Sequence, residues 1–167
     1  MQLRYFNQPH FENGSLKLIS QVLKEHGINN PLICTDPGLV AIGMTDKIRN
    51  LLSNELSPTF YTETPANPTE QAVNDALELY KQNKCDGVVG FGGGSSMDLA
   101  KTVALMANHE GNVVDYSVNE GGTGKITETV PTIAIPTTSG TGSEVSLGAV
   151  IIMNDGRKLI LASDHLV

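Results

Sequence analysis

The sequence predicts an α/β fold: a mainly parallel sheet with helices on both faces, followed by a β-hairpin. Three observations carry that expectation. Short apolar runs such as 31–36 ("PLICTD") and 86–94 ("DGVVGFGGG") alternate with segments whose apolar residues recur at helical spacing. Their order reads βαβαβαβα, and fully apolar strands between amphipathic helices imply a sheet covered on both sides. Near the end, "GAVIIMNDGRKLILA" holds two strand-like runs around Asp155 and Gly156, a turn pair suited to a hairpin.

Taken in order, residues 3–6 read as a first short strand. Residues 15–26 read as a helix with Leu16, Ile19, Val22 and Leu23 on one face, ended by Gly27. The run 31–36 is a buried strand stopping at Asp36, Pro37 and Gly38, and 46–54 a second helix. Residues 58–64 are rich in β-formers. Thr69 then caps a helix that carries Ala72, Val73, Ala76, Leu77 and Tyr80. After the strand 86–94, a helix begins at Ser95 with Leu99, Val103 and Met106; Ser95 is its expected cap and Asp98 its capping-box partner. Residues 119–130 are polar and glycine-rich, 131–138 form another apolar strand, and 148–162 the hairpin. No repeat or linker divides the 167 residues, which suit one domain.

Composition narrows the function. With 40% hydrophobic residues, no apolar run approaches the roughly 18 residues of a membrane span. The first fifteen residues lack the basic and apolar blocks of a secretion signal, so the expected location is the cytoplasm. A net charge of -7 without a basic cluster argues against a nucleic-acid partner. Cys34 and Cys85 read as reduced thiols, and together with His10, His26, His109 and His165 they form no metal-ligand spacing.

The stretch most suggestive of chemistry is 90–101, "GFGGGSSMDLAK". Where a helix starts beyond the carboxyl end of a parallel strand, its unpaired N–H groups and partial positive charge face whatever binds there. Gly92, Gly93 and Gly94 lie at that junction, able to let an anion approach the backbone and to adopt positive φ angles. A tight turn with an ordinary capped helix explains the same residues. The Rossmann G-x-G-x-x-G fingerprint would need glycine at Ser95, and no Walker Gly-Lys-Ser/Thr occurs. A second stretch, 135–145 or "IPTTSGTGSEV", sets Thr137, Thr138, Ser139, Thr141 and Ser143 around two glycines, as phosphate or ribose donors or as a self-bonded turn. It holds no G-x-S-x-G nucleophile elbow. Asp36, at a strand end, can accept from a ribose and repel an extra phosphate, or simply begin an Asp-Pro-Gly turn.

Joined to "ANPT" upstream, these two motifs closely resemble the iron-containing (group III) alcohol dehydrogenase family, whose relatives include glycerol dehydrogenase and dehydroquinate synthase. The resemblance implies a Rossmann-like, dehydroquinate synthase-like N-terminal nucleotide-binding domain spanning 1–167. It implies that Gly94 and Ser95 bind the pyrophosphate of NAD, that Gly93 permits the approach, and that Asp36 selects NAD over NADP. Asn67 would meet the ribose and phosphate side, and Thr137, Thr138 and Thr141 the phosphates and nicotinamide half. Val150 would pack nearby, and Lys158 would reach the nicotinamide ribose. Asp98 and Lys101 take a supporting role in loop geometry. Family members hold iron, sometimes zinc, in a second, helical domain that this chain lacks, so no catalytic or metal residue is assigned here. Asp164 and His165 are adjacent and point to opposite sides of an extended chain. The expected function is therefore the cofactor domain of an NAD-dependent dehydrogenase acting on an alcohol or aldehyde, inactive alone, with homodimerisation through the N-terminal strand. A dehydroquinate synthase-like or glycerol dehydrogenase-like enzyme and a stand-alone NAD-binding module are the alternatives.

Overall fold

The computed structural model describes residues 7–166, and the strand expected at 3–6 lies outside them. A 3₁₀ turn, Ser15–Leu18, leads into α1, Ile19–Glu25, which Gly27 ends in the left-handed region at φ 72°. Strand β1, Pro31–Cys34, then pairs in parallel with β2, Thr59–Tyr61, on one side and with β3, Gly87–Gly92, on the other. Beyond β3 lies β4, Thr132–Pro136, also parallel, so the sheet order is β2-β1-β3-β4. A separate antiparallel hairpin, β5 Gly148–Ile152 and β6 Lys158–Ala162, follows the sheet. Its turn includes Asp155 and Gly156, the latter at φ 86°.

Alternating side chains of the central strands divide the core in two. Leu32, Cys34 and Val88 join Val73, Ala76 and Tyr80 of α4, Glu70–Gln82, and Leu99 and Val103 of α5, Gly94–Asn108. Ile33, Val89 and Phe91 face Ile19 and Leu23 of α1 instead, with Ile48 alongside. Helices thus cover both faces, as the apolar strands predict. Gly90 sets the spacing on the first face. A Cβ there would lie 2.8 Å from Met97 Cα and 3.1 Å from Ala100 Cβ, so its absence lets α5 settle onto β3.

Four local expectations need correction. The helix expected at 46–54 is the shorter α3, Met44–Arg49, and an unexpected helix, α2, Pro37–Ala41, precedes it across Gly43 at φ 75°. The Asp-Pro-Gly sequence that reads as a loop initiates α2: Asp36 Oδ1 accepts from Leu39 N–H at 3.0 Å, and Pro37 needs no N–H partner in the first turn. The polar stretch after α5 is wound into 3₁₀ turns, Val113–Tyr116, Val118–Glu120 and Gly122–Lys125. Finally, α5 begins one residue early, at Gly94. Gly93 stands at the cap position without a side chain to offer, so Ser95 is no cap and Asp98 no capping-box partner.

Candidate functional site

The sheet order creates the site. From β1 the chain steps to β2 on one side, then returns past β1 to place β3 and β4 on the other. Strand order therefore reverses between β1 and β3, and the loops leaving their carboxyl ends diverge to open a crevice. Asp36 leaves β1 there and Gly93 leaves β3. The two lie far apart in sequence yet line one cleft of about 370 Å³, together with Thr64, Ser95, Thr137 and Thr138. A Cβ on Gly92 would come within 3.3 Å of Asp36 Oδ2.

Helix α5 points its first turn into this cleft. Gly94, Ser95 and Ser96 occupy that turn, whose N–H groups have no carbonyl one turn earlier to bond; the first intrahelical bond runs from Met97 N to Gly93 O at 3.2 Å. Two cleft residues, Thr64 and Ser96, carry hydroxyls that are buried and have no hydrogen-bond partner, as does Thr35, which precedes Asp36 at the end of β1. Leaving a buried polar group unpaired costs on the order of 1–3 kcal/mol, so the orphaned hydroxyls of Thr64 and Ser96, in a cleft at a helix N-terminus, fit a polar, anionic ligand. Their signal in the sequence was slight: a second serine after the glycines, and a threonine at a strand exit.

The glycines do more than clear space for an anion. Gly93 is extended at φ −78°, ψ −171°, and Gly94 is helical, so neither uses the positive φ expected of it. Instead, a Cβ on Gly93 would stand 3.3 Å from Thr138 Oγ1, and one on Gly94 3.4 Å from Thr141 Cβ. The bare backbone of the first motif seats the second. Thr137 N–H closes the junction by donating to Gly92 O at 2.9 Å.

The other expected residues lie around this centre. Ser95 Oγ accepts from Asn67 N–H at 3.1 Å, and Asn67 Oδ1 in turn accepts from Lys158 Nζ at 3.4 Å, linking the hairpin to the cleft rim. Val150 sits on β5, its N–H donating to Asp98 Oδ2 at 2.9 Å. Thr141 lies over Gly94 outside the cleft lining, with its hydroxyl 3.4 Å from Glu144 Oε2. Ser143, read above as a phosphate or ribose donor, turns inward: it is 6% exposed and donates to Asp98 Oδ1 at 2.6 Å. Asp164 and His165 border a different depression of about 380 Å³. Among the described residues, no group of three or more His, Cys, Asp or Glu side chains is gathered so as to hold a metal ion, and no helix is long and apolar enough to cross a membrane.

Comparison with known proteins agrees with this arrangement. A model of the family described as iron-containing alcohol dehydrogenase matches residues 7–167. The chain belongs to that family. Among curated relatives, 4-hydroxybutyrate dehydrogenase of Cupriavidus necator is 45% identical over 164 residues, covering 98% of this chain and 43% of the relative. Choline dehydrogenase of Bacillus subtilis is 39% identical, covering 83% and 35%. Among solved structures, a sulfoacetaldehyde reductase from Bifidobacterium kashiwanohense in complex with NAD+ superposes with a TM-score of 0.84 at 31% identity, over 99% of this chain and 44% of that one. The chain thus spans less than half the length of the iron-containing alcohol dehydrogenase relatives it matches.

Proposed function

We propose that these residues form the cofactor-holding part of an NAD-dependent alcohol dehydrogenase, in which hydride passes between an alcohol or aldehyde and the nicotinamide. One observation carries the reading: the N-terminus of α5 and the orphaned hydroxyl-bearing residues Thr64 and Ser96 meet Asp36 in a single cleft at the strand-order reversal. Family membership and the NAD+ complex of the reductase relative support it.

In this reading Gly94 and Ser95 offer backbone N–H groups to the pyrophosphate, and Gly93 keeps the approach open. Asp36 already spends Oδ1 on Leu39 N–H, which leaves Oδ2 to accept from the adenosine ribose and to repel the additional phosphate of NADP. Thr137 and Thr138 supply hydroxyls along the phosphates. Asn67 meets the ribose and phosphate side, and Thr141, Val150 and Lys158 border the nicotinamide half, with Lys158 set by its contact to Asn67. NAD, when bound, supplies the hydride acceptor; the chain's own residues bind and orient it. The family's iron, or zinc, does not fit the described residues, which gather no ligand set, so we assign the metal and the alcohol-activating groups to a helical domain outside these 167 residues and route no step through them. The substrate class, a small alcohol or aldehyde, a homodimeric assembly, a cytoplasmic location and inactivity of this chain alone belong to the same proposal.

The test is titration of the chain with NADH and NADPH by fluorescence, beside the variant Gly94→Asp. An acid in the first turn of a helix is compatible with the helix dipole, so the variant keeps α5 while placing negative charge where a phosphate would sit. The reading predicts NADH binding, weaker NADPH binding, and loss of both in Gly94→Asp. Equal affinity for the two nucleotides would remove Asp36 from its role, and unchanged binding by Gly94→Asp would remove the pyrophosphate site.

A further inference from the structure

The turn 137–142 that roofs the cleft has little of its own to hold it. Residues 137–141 are exposed, and Gly140 and Gly142 take left-handed backbone at φ 82° and 73°. A segment so poor in apolar contacts and rich in glycine costs conformational entropy to order. Its first residue is fixed by the Thr137–Gly92 bond. What fixes the other end is a pair of charged side chains from the middle of α5. Asp98 accepts from Ser143 Oγ at 2.6 Å with one oxygen and from Val150 N–H at 2.9 Å with the other. One turn on, Lys101 Nζ donates to Ser146 O at 2.7 Å and Gly148 O at 3.3 Å, with Ser146 Oγ at 3.4 Å.

We propose that Asp98 and Lys101 are positioning residues that clamp segment 143–150 to α5 and so hold the threonine turn over the helix N-terminus, giving a cofactor cleft assembled before any dinucleotide arrives. The proposal rests on the NAD reading for its ligand, though not for its geometry. Lys101 is only 2% exposed, and a buried ammonium is expensive: an aliphatic residue in its place would cost the core less. Burial and desolvation draw its pKa down to about 8, while Asp98 on its own helix and Glu144 on the clamped segment hold it up. A cation kept at that cost, with both partners of the clamp contacting backbone of the same eight residues, is placed for geometry. Preorganising a site in this way lowers the ordering cost that binding must otherwise meet.

The test compares the chain with Lys101→Met, which keeps the stem and loses the donors, and Asp98→Asn, which keeps the shape and loses the charge. Amide hydrogen exchange without cofactor is expected to quicken about tenfold or more across 137–150, with the central strands β1 and β3 as protected as before. NADH affinity is expected to fall about tenfold, equivalent to about 1.4 kcal/mol. Saturating NADH should return the exchange of 137–150 toward the unsubstituted level, which a merely structural role would not produce. Should either variant fail to fold, Ser143→Ala removes a single clamp contact and takes its place with the same readouts. Folded variants with unchanged exchange in 137–150, or a lowered melting temperature with unchanged NADH affinity, would overturn the proposal. If the unsubstituted chain itself binds no NADH, the NAD reading falls and the exchange comparison alone decides the clamp.

Discussion

The backbone N–H of Asn67 donates to the side-chain oxygen of Ser95 at 3.1 Å, and Asn67 makes that reach from a left-handed conformation at φ 61°. Asparagine tolerates such a backbone; a β-branched residue does not. We therefore expect Asn67→Val to lower stability by about 1–3 kcal/mol in urea denaturation, and Asn67→Gly to lower it far less. If the two variants lose equally, the side-chain contact with Lys158 matters and the backbone does not.

Gly92 is the most tightly enclosed residue of the glycine run. A Cβ there would stand 2.4 Å from Ser96 Oγ and 2.7 Å from Ser96 Cβ, deep in the first turn of α5. Forcing a methyl group into filled space costs about 1–3 kcal/mol. Gly92→Ala should lose that much by chemical denaturation, whereas Gly124→Ala, whose Cβ would meet nothing within 4 Å, should be nearly neutral.

How much of this could be read from the sequence follows the range of the interactions. The unbroken apolar run of β3 and the helical spacing of the α4 face are local signals, and Thr69 caps α4 as expected, accepting from Ala72 N–H at 3.2 Å. Asp36 was legible as a candidate at a strand exit, and it does line the cleft, but its role as a helix cap was not, because the turn chemistry of Asp-Pro-Gly describes a loop as well as a helix start. Ser95 was misplaced as a cap for a related reason. The helix starts one residue earlier, and the hydroxyl answers to Asn67, a partner 28 residues away that no local rule connects to it. Ser143, Asp98 and Lys101 meet only once β5 has packed against α5, so their clamp is a property of the tertiary fold.

The buried amine of Lys101 gives stability a pH dependence of defined sign. Its folded pKa, about 8, lies below the ordinary lysine value of 10.5. Between those limits the unfolded chain binds the proton and the folded chain does not, so this group makes stability rise with pH. Below pH 8 the full cost of burying the cation is present. Plotted as the difference between the chain and Lys101→Met, urea stability should climb from pH 8 to about 10.5, which removes contributions from other groups. A flat difference would mean that the amine is solvated in the folded state.

Cys34 is fully buried, and desolvation, with the nearby Cys85 adding to it, pushes its thiol pKa well above the usual range. Burial raises Cys85 as well. Since the thiolate is the reactive form, neither residue should react with a thiol reagent at pH 8 until the chain unfolds. Rapid labelling of the folded chain would show that the core around β1 opens readily.

The central claim, that the first turn of α5 receives the dinucleotide pyrophosphate, is tested most directly by amide ¹H–¹⁵N spectra of the labelled chain during titration with NAD. The account predicts the largest shifts at Gly94, Ser95 and Ser96, with smaller ones at Leu39, Thr137 and Thr138 and none at Asp164 and His165. Binding that leaves the Gly94–Ser96 amides unmoved, or that shifts residues 163–165 instead, would contradict it.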